Sequence, residues 1–241
     1  MSNDFNYPIA NGAPVSVTSA SSPASWSTPT WYNLLTAPFD LDGFYLSFQL
    51  NASLSTLFQI GLGSTPFVVG SNLPFGLGNS ACNVFIPIRV RKGQNIQVQA
   101  ASYTGSATFN MTCTGIPRGI MNPDFVGFQL VGIGTSLSFA HFQSTINPSS
   151  TLQMTTAVTS LPTKRIYISP NAAGPVSMSV GFGPSTSVTV TPISNINYSN
   201  NANIYGTINF DYPCYIPEGN NIFLTNLSSA NTIYGGMAYL I

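Results

Sequence analysis

Side chains able to do acid–base or nucleophilic chemistry are scarce in this chain. There is one histidine, His141, and there are six carboxylates: Asp4, Asp40, Asp42, Asp124, Asp211 and Glu218. A Ser-His-Asp constellation could form only through His141, and no Gly-x-Ser-x-Gly elbow is present to expose a serine. His141 stands in the alternating run Ser-Phe-Ala-His-Phe-Gln and reads as a strand residue with a hydrogen-bonded ring. Glycoside hydrolysis needs two carboxylates flanking a cleft. Asp40 and Asp42 are close in sequence, but Asp-Leu-Asp-Gly ahead of an apolar run reads as a turn. The same pair offers too few oxygens for a calcium cage. Cys82, Cys113 and Cys214 match no Cys-x-x-Cys spacing and read as buried thiols. No catalytic residue, metal site or cofactor is expected, and the chain is read as a non-enzyme.

Two further sets of residues could serve binding or turning. Trp26, Trp31 and Tyr32 cluster in a Ser/Thr/Pro-rich stretch and are the candidate interface or ligand-contact residues. Exposed, they could stack on a sugar ring or anchor a partner; buried, they would plug the end of a sandwich, which is the expected role. Gly61 and Gly63, and again Gly181 and Gly183, end apolar runs. A phosphate-cradling role would need a helix next. The following residues read as strand, so these glycines are expected in turns or bulges. Gly93, and Pro217 with Gly219, are expected in turns between strands. Four Asn-x-Ser/Thr matches, at Asn51, Asn110, Asn197 and Asn226, arise readily from a composition rich in these residues.

Composition bounds the elements that must hold these residues. Charged residues make up 5% of the 241, and six cations balance six carboxylates, where an ordinary domain is about 25% charged. A chain so weakly charged has little colloidal protection and is expected to live in an assembly. Hydrophobic residues at 44% and aromatics at 12% can build cores. No run of about 18 apolar residues could span a bilayer, and the N-terminus has no secretory-signal pattern. Residues 1–88 hold no Lys or Arg, so no basic arm is available for phosphates. Neither nucleic acid nor a membrane is expected as a partner.

The strongest organising signal is a repeat. At a shift of 120 residues, Met1-Ser-Asn-Asp-Phe5 matches Met121-Asn-Pro-Asp-Phe125, and Phe58-Gln-Ile-Gly-Leu-Gly63 matches Met178-Ser-Val-Gly-Phe-Gly183. Later the shift is 126, where Pro87 to Ile96 matches Pro213 to Ile222. The extra residues are expected at 194–205, an Asn-rich stretch where a longer loop costs little. Two β-sandwich repeats are expected, 1–118 with a short N-terminal arm and 119–241, punctuated between them by Gly115, Pro117, Gly119 and Pro123. Strand-like runs occupy 43–50, 56–61, 84–90, 95–102 and 107–113 in the first, and 152–158, 164–169, 176–182, 187–191, 207–212, 221–226 and 232–240 in the second. Ile96-Gln-Val-Gln-Ala alternates as a half-buried strand would. No sustained helical period occurs. The fold class is all-β: two tandem antiparallel, jelly-roll-like sandwiches.

The run Pro87-Ile-Arg-Val-Arg-Lys-Gly-Gln-Asn-Ile96, with the upstream strand ending in Gly61-Leu-Gly63, resembles a repeated domain of tailed-bacteriophage virion structural proteins. Ile216-Pro-Glu-Gly-Asn-Asn-Ile222 keeps the Pro-x-Gly turn of that pattern. The usual Arg after the final Ile is replaced by Gln97 and Phe223. The resemblance implies a virion component of the capsid decoration, cement or tail-associated type. Its partners would be other virion proteins and further copies of itself, with a trimer favoured. The alternative is a receptor-binding adhesin on the virion that takes a host-surface glycan through Trp26, Trp31 and Tyr32.

Overall fold

Alternating and doubly apolar runs, broken by Gly, Pro, Asn and Ser, leave this chain strands as its main regular element. The computed structural model describes residues 9–21, 29–50, 56–76, 81–102, 105–133, 144–155, 158–172, 174–199 and 210–241. Ten strands precede the midpoint: β1 (Ala10–Asn11), β2 (Val15–Thr18), β3 (Ala20–Ser21), β4 (Tyr32–Thr36), β5 (Leu41–Gln49), β6 (Thr56–Leu62), β7 (Phe67–Gly76), β8 (Ala81–Ile86), β9 (Asn95–Ser102) and β10 (Thr108–Pro117). A 3-10 turn (Pro123–Phe125) follows. Then come β11 (Leu130–Ile133), β12 (Ser144–Ile146), β13 (Thr151–Gln153), β14 (Thr163–Ala172), β15 (Val176–Gly183), β16 (Val190–Tyr198), β17 (Phe210–Ile216), β18 (Asn221–Asn226) and β19 (Ile233–Leu240).

Strand order makes each half a jelly roll. In the first half one sheet runs β1-β10-β5-β8, with β2 also on β10, and the other runs β7-β6-β9, with β3 and β4 on β9. In the second half β17-β14-β19 carries β11 and β12, opposite β13-β18-β15-β16. Counting β1 with β2, β3 with β4 and β11 with β12 as single positions, both halves have the two four-stranded sheets of a double Greek key. The inward faces build two cores. Phe44, Leu46 and Phe48 alternate inward along β5 in the first; Met178, Val180, Ile222 and Leu224 belong to the second. Phe48, Phe58 and Phe109 pack with ring centroids 4.8 to 5.9 Å apart.

The halves share one sheet. β11 pairs in parallel with β7, Leu130 opposite Gly70 and Val131 opposite Ser71, so ten strands are continuous. Gly132 is required at this junction, because a Cβ there would lie 1.8 Å from the Asn72 carbonyl oxygen. Tyr167 of β14, fully buried, donates its hydroxyl to the Phe85 carbonyl at 2.7 Å and meets Phe75 edge-on. Its neighbours Leu130, Ala238 and Leu240 also belong to the first core.

Several expectations need correction in detail. β9 is buried on both faces rather than half-buried; Gln97 and Gln99 are accommodated by hydrogen bonds to the Gly63 carbonyl and to Gln59. Residues 187–189 precede β16, which starts at Val190. Not all of the extra length of the second half lies after Ser194. The left-handed Asn72 (φ 50°) and Asn195 (φ 57°) occupy matching bulges 123 residues apart, because the link from Phe182 to Val190 is already longer than that from Leu62 to Phe67. The rest falls between Asn195 and Phe210, and residues 200–209 lie outside the described residues.

Candidate functional site

The clearest concavity is a cleft of about 680 Å³ at one end of the first jelly roll, closed on one side by the link between the halves. Arg89, Arg91, Arg118 and Lys164 line it, with Phe67 and Phe128 among its walls. Four of the chain's six cations therefore meet here. Arg89 and Arg91 come from the β8–β9 connection, Arg118 follows β10, and Lys164 belongs to β14. Phe67 and Phe128 are 74% and 76% exposed, an unusual state for phenylalanine.

Asp40 and Asp42 hold the cleft's frame. Asp42 is buried in β5 and is not a turn residue. Its carboxylate accepts the Gly119 and Met121 N–H groups at 2.7 and 3.2 Å and faces Arg89 at 3.9 Å. Asp40 accepts the Lys92 N–H at 2.8 Å and pairs with Arg118 at 3.4 Å. The Lys92 N–H holds the Asp40 carboxyl below the usual carboxylate range against opposing desolvation, with Arg118 and Arg91 adding to the lowering. Lys164 donates to the Val126 carbonyl at 3.0 Å and lies 5.8 Å from the Phe128 ring centre. With two carboxylates already committed to backbone donors and arginines, the remaining positive charge can hold a carboxylate or phosphate group. Among the described residues the cleft brings together no nucleophile and base.

The residues singled out from sequence lie elsewhere. Trp26 and His141 lie outside the described residues. Trp31 is half-buried and packs over Gly61, where a Cβ would come within 3.0 Å of its ring. Tyr32, in β4, packs against the first core and directs its hydroxyl to the Thr18 carbonyl at 3.4 Å. Gly61 sits at a register shift in β6 and Gly63 has φ 96°. Gly181 and Gly183 close β15, where a Cβ on either would strike the incoming residues 187–190. Gly93 (φ 81°) and Gly219 (φ 78°) donate to the Ala37 and Thr159 carbonyls, each at 2.8 Å, and Pro217 opens the second of these turns. Cys82, Cys113 and Cys214 are buried and outside any disulfide, and burial pushes Cys113 up to about 12. Among the described residues no group of three His, Cys, Asp or Glu could hold a metal ion.

Sequence reasoning missed the cleft. The available signal was that all six cations lie between Arg89 and Arg165, but they come from three separate connections and strands.

No family model matches the chain, and no curated protein matches it. Among solved structures, the STIV MCP is 8% identical, with 97% of each chain covered and a TM-score of 0.44. A structure of infectious bursal disease virus, Gt strain, is 10% identical, covering 98% of this chain and 74% of that one, at a TM-score of 0.29. The vicilin from Solanum melongena is 8% identical, covering 85% and 73%, at 0.17. At these scores the likenesses carry no argument about function, and the jelly-roll topology rests on the strand pairings described above.

Proposed function

We propose that the chain is a structural subunit of a virus particle, acting by packing against copies of itself and neighbouring virion proteins. The observation that carries this reading is the fusion of two jelly rolls into one block through a continuous ten-stranded sheet. That block has a surface with almost no charge and with large apolar side chains left outside, among them Ile9, Phe67, Phe128 and Tyr215. Such a surface suits a subunit whose faces are covered in an assembly. The resemblance of the Pro87 to Ile96 segment to tailed-phage virion domains points the same way. Within that role a shell or shell-decorating position, with trimeric self-association, is the finer proposal. The division into units at 1–118 and 119–241 is proposed with it, since residues 118–129 link the two jelly rolls.

The cleft is the proposed contact for an anionic group of a neighbouring virion protein. The adhesin alternative gains no support from Trp31 and Tyr32, which are engaged in packing. Mass spectrometry of purified particles from the encoding genome tests the role. The chain should be present at many copies per particle, and its absence from particles that are otherwise complete would overturn the proposal.

A further inference from the structure

Two strand edges and two side chains are covered within the chain, while among the described residues their counterparts in the other jelly roll are unpaired edges and more exposed side chains. The ladders fix the counterparts. Phe58 faces Leu73 and Ile60 faces Gly70 in the first half; Met178 faces Ile196 and Val180 faces Ile193 in the second. Gly70 and Ser71 of β7 therefore correspond to Ile193 and Ser194 of β16. On the other side, Ala10 pairs with Gly115, which faces Phe44, and Val131 pairs with Tyr239, which faces Ile166. Phe44 and Ile166 are core residues at the same place in β5 and β14. Ala10 thus corresponds to Val131, Ile9 to Leu130, and Tyr45 to Tyr167.

Burial separates three of the corresponding pairs. Leu130 is fully buried where β11 meets β7, whereas Ile9 is 59% exposed. Tyr167 is fully buried against the first jelly roll, whereas Tyr45 is 40% exposed. Ser71 is half-buried beneath β11, whereas Ser194 is exposed. Among the described residues β16 pairs only with β15, and β1 only with β10. An unpaired edge presents a row of donors and acceptors that a second strand can satisfy.

We propose that the β16 edge of one copy pairs in parallel with the β1 segment of a second copy, Ile9 opposite Ile193 and Ala10 opposite Ser194. This repeats between chains the junction that β7 and β11 make within one, and it places the second copy over Tyr45. The proposal rests on the reading of the chain as an assembling virion subunit and names the partner and the contact. The contact is head-to-tail, so copies form a ring if it closes; three copies would set six jelly rolls around one axis. The copy of the junction is not identical. Asn11 stands where Gly132 stands in the internal junction, so the strands cannot come as close at that end; Ile193 stands where Gly70 does, and Pro192 before it offers no N–H, so Ile9 and Ala10 meet Ile193 and Ser194 over a short stretch.

Disulfide capture tests the contact. Opposed positions on paired strands are about 5 Å apart, within disulfide reach, and the three native thiols are buried. The Ile9→Cys/Ile193→Cys double variant should give covalent multimers under mild oxidation, ending at three chains, while each single variant runs as one chain. Ile9→Asp should convert the native oligomer to single chains with an unchanged far-UV circular dichroism spectrum, since Ile9 is mostly exposed in the isolated fold. Absence of any covalent species above one chain, or an Ile9→Asp protein that stays oligomeric, overturns the proposal. Neither result touches the virion role, which the particle mass spectrum decides separately.

Discussion

Replacing Asp42 should loosen the link between the two jelly rolls. Its buried carboxylate accepts N–H groups from Gly119 and Met121, two and four residues past the end of β10. A hydrogen bond to a charged acceptor contributes about 1.5–3 kcal/mol. Gly119 is exposed, so water can replace part of what is lost, and the Arg89 pair at 3.9 Å with a half-exposed guanidinium adds little. Asp42→Ala should therefore cost about 3 kcal/mol, and Asp42→Asn, which keeps one acceptor oxygen but no charge, about 1–2 kcal/mol. For a chain of this length that is a fall in Tm of about 6–12 °C for the alanine variant. Differential scanning calorimetry in the Ile9→Asp background reads it without interference from assembly. Tryptic cleavage after Arg118 should also speed up in Asp42→Ala, because the same two bonds hold that segment. A cost below about 1 kcal/mol, or equal costs for the two variants, would refute the assignment of Asp42 as the anchor.

Further outcomes follow from other positions. Gly93→Ala and Gly219→Ala each force an L side chain to a positive φ with open space around it, so each should cost about 1 kcal/mol by denaturant titration, with similar values at the two sites. Gly132→Ala should cost more than about 3 kcal/mol or abolish folding, because its Cβ meets backbone at the β7–β11 junction. The Asp40 carboxyl is held below its ordinary value in the folded state, so its contribution is full above the unfolded value of about 3.9 and is lost as pH falls through the folded one. Asp40→Asn should accordingly flatten the pH dependence of stability below about pH 4 in acid titration. Native protein should resist maleimide at pH 8, with the thiols reacting on unfolding, since burial holds Cys113 and Cys214 protonated.

The fold was partly legible because certain strands have unambiguous local signatures. Residues 95–102 and 221–226 alternate or run apolar between turn residues, and they are β9 and β18 with the same bounds. The start of β16 was misplaced because its first residues are exposed and carry no burial pattern. β1 and β3, two residues each, are too short to leave a period. Strand order depends on long-range pairing, and sharing of one sheet between the halves depends on Gly132 fitting under Asn72, which local pattern does not encode. The matching Ser-Asn-Leu of β7 and Ser-Asn-Ile of β16 are the sequence signal of the three-residue offset. The cleft was illegible for a different reason: Arg89, Arg118 and Lys164 are dispersed in sequence, and only the connections of the jelly roll bring them to one end.

The central claim is that tandem jelly-roll copies build part of a virus particle. Cryo-electron microscopy of purified particles from the encoding genome tests it most directly. The expected result is density for many copies of this two-lobed fold, set in rings in which β16 of one copy meets β1 of the next. Particles whose resolved shell and appendages contain no such fold would contradict it.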